Sequence, residues 1–118
     1  MFNFEKLDVW HEAIGFADNI YAVTRTFPAD ERFGLTNQMR RAAAAIASNV
    51  AEGSSRMSRN DFARFVEIAT GSVFEVVSHA SIANRQGFLS KKEFDGIYAA
   101  AEKQSKMLTG LRKSLAKQ

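Results

Sequence analysis

Few side chains in this sequence could take part in catalysis. The only histidines are His11 and His79, and on a helix Glu12 would point about 100° away from His11. A Glu-x-x-His pair repeated on two helices, which binds metals in helical bundles, does not occur. Four serines have no base nearby in sequence and therefore do not resemble catalytic nucleophiles; they are Ser48, Ser54, Ser55 and Ser58. No nucleophile-elbow pattern occurs either. The sequence therefore predicts a protein that is not an enzyme and that uses no metal or cofactor.

Basic residues indicate a different kind of chemistry, the binding of phosphate groups. They fall in two groups, near residue 60 and in the last sixteen residues, and they are Arg56, Arg59, Arg64, Lys103, Lys106, Arg112, Lys113 and Lys117. In an antiparallel bundle the two groups would lie at one end and form a basic rim. Such a rim would bind RNA or DNA without sequence preference and with strong salt dependence. The alternative is ordinary solvated charge, and the helix dipole alone accounts for Lys113 and Lys117.

A polar stripe on the expected second helix is another candidate site. At 100° per residue the stripe consists of Gln38, Arg41, Asn49 and Glu52. The same helix contains six alanines, so its neighbours can approach closely. We expect Arg41 to pair with Glu75 of the third helix or with Glu52, within the bundle or across a subunit contact. The alternative is that these residues are solvated and align by chance.

Four helices are needed to position these groups. Apolar spacing of three and four residues predicts them at about 6–26, 35–52, 58–86 and from 90 onward. Pro28 ends the first helix, and Gly53 is suited to end the second in the left-handed conformation. Ser58 and Ser90 are each followed three residues later by an acid, which predicts helix N-caps. Because the connections are short, we expect one domain over residues 1–118, an all-α, antiparallel, up-down-up-down four-helix bundle.

Composition agrees with this fold and limits the location of the protein. The 118 residues are 46% hydrophobic and 25% charged, with one proline and no cysteine. The lack of cysteine excludes disulfides and fits a reducing cytoplasm. No signal peptide and no apolar run of the ~18 residues that span a membrane are found, so we expect a cytoplasmic protein without membrane contact. The net charge of +3 permits contact with nucleic acid but does not require it.

Surplus apolar residues predict that the bundle assembles with copies of itself. The first helix carries two apolar stripes, and the third has apolar residues beyond its main stripe, at Ile68, Phe74, Val77 and Ile82. A four-helix monomer needs one apolar face per helix, and further apolar surface suits a subunit interface. The alternative is a broader internal face.

The segment from Gln38 to Gly53 resembles the signature of the four-helix bundle proteins encoded in 23S rRNA intervening sequences, also called S23 proteins. Segments at 4–10, 27–35 and 64–75 fit the same family in the same order, so the resemblance covers essentially the whole chain. Two departures are Ala45, where the family commonly has serine, and 74–77, which replaces a leucine-rich run. Both are packing positions, so they do not affect the expected fold.

The resemblance implies a ring assembly, commonly a pentamer. It also implies kinship with the accessory variability protein of diversity-generating retroelements, a basic pentameric barrel that binds nucleic acid and a reverse transcriptase. We therefore expect a homo-oligomer that binds RNA or DNA through a basic surface, with a protein partner such as a reverse transcriptase. The alternative is a protein-interaction scaffold with no nucleic-acid role.

Overall fold

Four long helices form the fold in a computed structural model that describes residues 1–116. They are α1 (Asp8–Thr24), α2 (Leu35–Ser54), α3 (Arg59–Arg85) and α4 (Lys91–Ala116). Single turns of 3₁₀ helix precede α1, at Asn3–Lys6, and lie between α1 and α2, at Ala29–Glu31. No strand occurs within residues 1–116, so the predicted all-α class is confirmed. None of the described helices is long and apolar enough to cross a lipid bilayer.

The helices are arranged in chain order around one core. In residues 1–116 each helix packs against the helices before and after it, α4 also packs against α1, and no Cα atoms of diagonal helices come within 8 Å of each other. The short connections make neighbours antiparallel, which gives the predicted up-down-up-down bundle. Each helix contributes fully buried side chains, among them Ile20, Ile46, Val66 and Leu108. Burying one such side chain is worth roughly 1.5–3 kcal/mol, so these contacts are the main source of stability.

The predicted helix caps are present. Ser58 Oγ accepts a hydrogen bond from the Asp61 amide at 3.0 Å and so satisfies one of the free amides at the start of α3. At the start of α4 the cap is reciprocal, because Glu93 N donates to Ser90 Oγ at 3.0 Å and Ser90 N donates to Glu93 Oε1 at 2.9 Å. Gly87 follows α3 with a φ of 81°, the left-handed conformation that ends many helices.

Gly53 does not end α2, so that prediction is wrong. The helix continues through Gly53 to Ser54, and the C-cap Ser55 is right-handed. A Cβ atom at Gly53 would lie 2.7 Å from Phe65 Cβ and 2.8 Å from Phe62 Cδ1. Glycine is therefore required here by the close approach of α3, which the local sequence does not reveal.

Gln104 is a polar residue in the core, between α4 and α1. It is fully buried, and its Nε2 donates to the backbone oxygen of Val9 at 3.2 Å. Its Oε1 has no hydrogen-bond partner among the described residues. An unsatisfied buried acceptor costs about 1–3 kcal/mol, so the bundle keeps this link between α1 and α4 at a cost in stability.

Candidate nucleic-acid interface

Arg59 joins the start of α3 to the end of α4. Its Nε donates to the backbone oxygen of Leu115 at 3.1 Å, and its Nη2 donates to that of Ser114. The last carbonyl groups of a helix have no partner within the helix, and a guanidinium can satisfy two of them. This contact places the basic residues near α3's start and those of α4's last turns at one end of the bundle, as predicted.

The guanidinium groups of Arg56 and Arg64 both lie over the Phe65 ring. Their guanidinium carbons are 4.6 and 4.7 Å from the ring centroid. Both also pair with Asp61, with N–O distances of 3.6 Å for Arg56 and 3.1 Å for Arg64. Arg56 further pairs with Glu52 at 3.1 Å. These two cations are thus held in place and partly neutralised, although both side chains remain partly exposed.

Arg112 and Lys113 are the least constrained cations at this end. Both are exposed on the last turns of α4, and neither forms an ion pair with any residue of the described chain. They are therefore available to an external anion. Lys117, the last of the predicted basic residues, lies outside the described residues.

Lys103 and Lys106 lie further from this end than Arg112 and Lys113, and Lys103 does not belong to the same surface. Lys103 lies about 20 Å before the end of α4 at 1.5 Å per residue. Its Nζ pairs with Glu12 of α1 at 3.3 Å. Lys106 lies beside a groove between α3 and α4. These lysines are close to Arg112 in sequence, but a helix rises 1.5 Å per residue, so they lie well before it along α4.

The polar stripe of α2 does not form a network within residues 1–116. Asn49 Nδ2 donates to its own helix, at the backbone oxygen of Ala45, 2.8 Å away. Glu75 pairs with His79 at 3.2 Å, and Glu52 pairs with Arg56. Gln38 and Arg41 are exposed in a shallow depression that Glu75 also lines. In residues 1–116 no ion pair joins Arg41 to an acid, so pairing within one chain is not observed and pairing across a subunit contact stays a prediction.

Two arginine–aromatic pairs at the opposite end of the bundle were missed by sequence reasoning. Arg32 lies 5.4 Å from the centroid of Phe33, which is 86% exposed. Arg40 lies 4.8 Å from the centroid of Tyr21 and donates to Thr24 Oγ1 at 2.9 Å. The position of Phe33 in a charged loop, away from any apolar stripe, is the signal that could have identified it.

Removing the Arg59 side chain should loosen the contact between α3 and α4. Two hydrogen bonds from a charged donor are lost, so we expect Arg59→Ala to reduce the free energy of unfolding by about 1–2 kcal/mol. Amide hydrogen exchange should speed up most in the last turn of α4. Arg112→Ala is the matched control, because Arg112 is exposed on the same part of α4. Equal exchange in the two variants would show that the Arg59 contact does not stabilise the helix end.

Away from this end of the bundle, some charged side chains form ion pairs with each other. At the start of α4, Lys91 Nζ donates to Asp95 at 2.8 Å, and this hydrogen bond together with the carboxylate's charge raises the pKa of Lys91. Within the described chain no three histidine or acidic side chains lie close enough to hold a metal ion.

Comparison with known proteins agrees with the fold. The family model described as 23S rRNA-intervening sequence protein matches residues 5–110. A similar solved structure is that of a protein with unknown function from the S23 ribosomal protein family of Bacteroides thetaiotaomicron VPI-5482. It has a TM-score of 0.79 and 21% sequence identity, and the match covers 89% of this chain and 98% of that one. A comparison with curated proteins finds no match.

Proposed function

The chain belongs to the 23S rRNA-intervening sequence protein family, and from that premise we propose that it is a non-enzymatic, oligomeric bundle that binds RNA or DNA at one end. We call this surface the basic end and define it as Arg56, Arg59, Arg64, Arg112 and Lys113. The contact of Arg59 with the last turn of α4 carries the proposal, because it brings cations of two helices onto one surface.

The two kinds of cation at the basic end suit different parts of phosphate binding. Arg56 and Arg64 are held by Phe65 and Asp61, so they lose less side-chain entropy when they bind a phosphate than free arginines would. Arg112 and Lys113 are exposed and can adjust to the ligand. Contacts of this kind read the phosphate backbone and not the bases, so we expect little sequence preference.

Exposed apolar side chains support the oligomeric part of the proposal. In α1 one stripe faces the core, while Ile14 and Tyr21 of the other are 38% and 43% exposed. In α3, Phe74 is 67% exposed. Apolar surface on several helices is typical of proteins that bind a partner. An oligomer would repeat the basic end, and several weak phosphate contacts would then act together.

Reversing the two unpaired cations should weaken nucleic-acid binding. We expect the double substitution Arg112→Glu with Lys113→Glu to lower the affinity for a labelled structured RNA or DNA duplex roughly ten-fold or more at about 50 mM salt. The slope of log affinity against log salt should fall by about two, one for each lost phosphate contact. Titrations between about 50 and 200 mM salt measure both quantities.

The matched control reverses two exposed cations at the other end of the bundle, Arg85→Glu with Lys92→Glu. This variant changes the net charge by the same amount, so it differs from the first only in the position of the charges. It should keep most of its affinity for nucleic acid if the basic end is the site. Equal loss in both variants would indicate an effect of total charge only. If the wild-type oligomer bound neither the RNA nor the DNA duplex at low salt, the proposal would be refuted.

A protein-interaction scaffold is the second candidate. The exposed Phe33 and Phe74 favour it, because large aromatic side chains often anchor protein partners. A partner such as a reverse transcriptase would then bind the Arg112→Glu, Lys113→Glu variant as well as the wild type. Under the first proposal the variant loses nucleic-acid binding, so the two functions are separable.

A further inference from the structure

A groove between α3 and α4 exposes aromatic surface to solvent. Its volume is about 360 Å³, and its lining includes Val73, Val77 and Ala101. Phe74 and Tyr98 also line it and are 67% and 46% exposed. Both rings are only partly covered by the described chain, so the groove presents apolar surface that a partner could bury.

The outer surface of α2 differs from this aromatic groove, because its exposed side chains include short ones and an unpaired cation. Ala44 and Ser48 are exposed and have short side chains. Arg41 lies beside them without an ion pair in residues 1–116. At the rim of the aromatic groove Glu102 is likewise exposed and makes no ion pair in the described chain. The two surfaces thus hold an unpaired cation and an unpaired acid.

We propose that the groove between α3 and α4 binds the outer surface of α2 from a second copy of this chain, with Arg41 opposite Glu102. The inference rests on the oligomeric part of the proposed function and adds the surfaces that meet. The small side chains of α2 allow its backbone to come close to the rings of Phe74 and Tyr98, which a helix with bulky outward residues could not do.

The order of charges along the two helices favours a parallel arrangement. Both α2 and α4 begin at the same end of the bundle. From that end, α2 carries Arg41 and then Glu52, while α4 carries Glu102 and then Lys106. Parallel packing brings opposite charges together, whereas antiparallel packing would place Arg41 near Lys106 and repel.

Positions along the helices also match. At 1.5 Å per residue, Arg41 and Tyr98 both lie about 10 Å from the end where α2 and α4 begin. On the same count Ala44 lies about 14 Å and Phe74 about 16 Å from that end. A rotation about an axis parallel to the helices keeps these heights, so the smallest part of α2 meets the exposed ring of Phe74 and Arg41 lies level with Tyr98. Glu102 lies about 7 Å further along α4, a distance that the long Arg41 side chain spans when it is extended over Tyr98.

The proposed contact joins two different surfaces. Each copy offers one groove and one α2 surface, so copies join head to tail and form a ring if the rotation closes. A two-fold dimer could use both surfaces only if they faced the same way, whereas α2 lies diagonally opposite α4 in the bundle. The geometry therefore favours assemblies larger than dimers.

Charge reversal tests the pairing of Arg41 with Glu102. The single substitutions Arg41→Glu and Glu102→Arg should each raise the concentration at half-assembly roughly ten-fold or more, because like charges then meet in the interface. Combining both in one chain should restore assembly, since the charges are exchanged at every contact. Mixing the two single variants should restore it in part, because only contacts between unlike variants again join opposite charges. Light scattering measures the mass, and circular dichroism checks that each variant is folded.

The controls are Arg85→Glu and Asp18→Arg, which reverse exposed charges away from both surfaces and should leave the mass unchanged. If the wild type is an oligomer and both single variants keep its mass, the inference is wrong while the proposed function stands. Failure of the combined variant to reassemble would also overturn the pairing. A monomeric wild type would instead refute the oligomeric part of the proposed function, and this inference with it.

Discussion

Replacing Gly53 by valine should destabilise the bundle by about 3 kcal/mol or more. A Cβ at this position would lie 2.7 Å from Phe65 Cβ and 2.8 Å from the Phe62 ring. The Phe65 atom is next to the backbone and cannot swing aside, so α2 and α3 would have to move apart. Overpacking of this kind costs roughly 1–3 kcal/mol, and the two γ-methyl groups add to it. Urea denaturation measures the change, at one fixed protein concentration because assembly affects apparent stability.

The matched control is the removal of a glycine that has no neighbour. A Cβ at Gly15, in the middle of α1, would meet nothing within 4 Å. Gly15→Ala should therefore raise the free energy of unfolding by about 0.4–1 kcal/mol, through helix propensity and lower entropy of the unfolded chain. If Gly53→Val were tolerated as well as Gly15→Ala, the close packing of α2 on α3 would not exist as described.

Changing Gln104 to glutamate should be about as damaging. The new carboxylate would be buried without a cation, and two oxygens would face each other where Gln104 Nε2 now donates to Val9 O. An unpaired charge in this position should cost about 3 kcal/mol or more at neutral pH. The loss should shrink in acid, where the protonated carboxyl can donate to Val9 again. Thermal and urea unfolding of variant and wild type at several pH values measure the difference.

Gln104→Met separates the cost of charge from the cost of the unpaired oxygen. Methionine has a similar length and no polar acceptor that needs a strong partner. The variant should be more stable than the wild type by about 1 kcal/mol, because the partnerless Oε1 is removed. A marked loss of stability would show that the hydrogen bond to Val9 is worth more than the unpaired oxygen costs.

The parts of the fold that depend on residues close together in the sequence were predictable from the sequence. The caps at Ser58 and Ser90 involve partners three residues away, and both form as predicted. Gly53 was misassigned because the residues that require it, Phe62 and Phe65, belong to the next helix. A glycine before two serines has the appearance of a helix end, and only the packing of α3 shows otherwise.

The sequence predicts a basic surface at one end of the bundle, but it does not predict correctly which residues belong to it or which partners they have. Antiparallel order correctly brought Arg59 to the end of α4. The separation of Lys103 from that end follows from the rise of a helix, but its partner Glu12 lies on a different element. Arg41 was expected to pair with Glu75 or Glu52, within the bundle or across a subunit contact. Within the described chain Glu75 instead pairs with His79 and Glu52 with Arg56, each one turn away. Side chains that have several partners within reach cannot be assigned by spacing alone.

The arrangement of the helices in chain order has a consequence for how the molecule folds. Three of the four helix pairs join segments adjacent in sequence, so their contacts need only short loops to close, and the contact order is low. The seam between α4 and α1 is the exception, because Gln104 and Val9 are 95 residues apart. Closing so long a loop costs more chain entropy than any other step, so the seam should form last and open first. Opening there would expose one side of the core while α1–α2, α2–α3 and α3–α4 stay together.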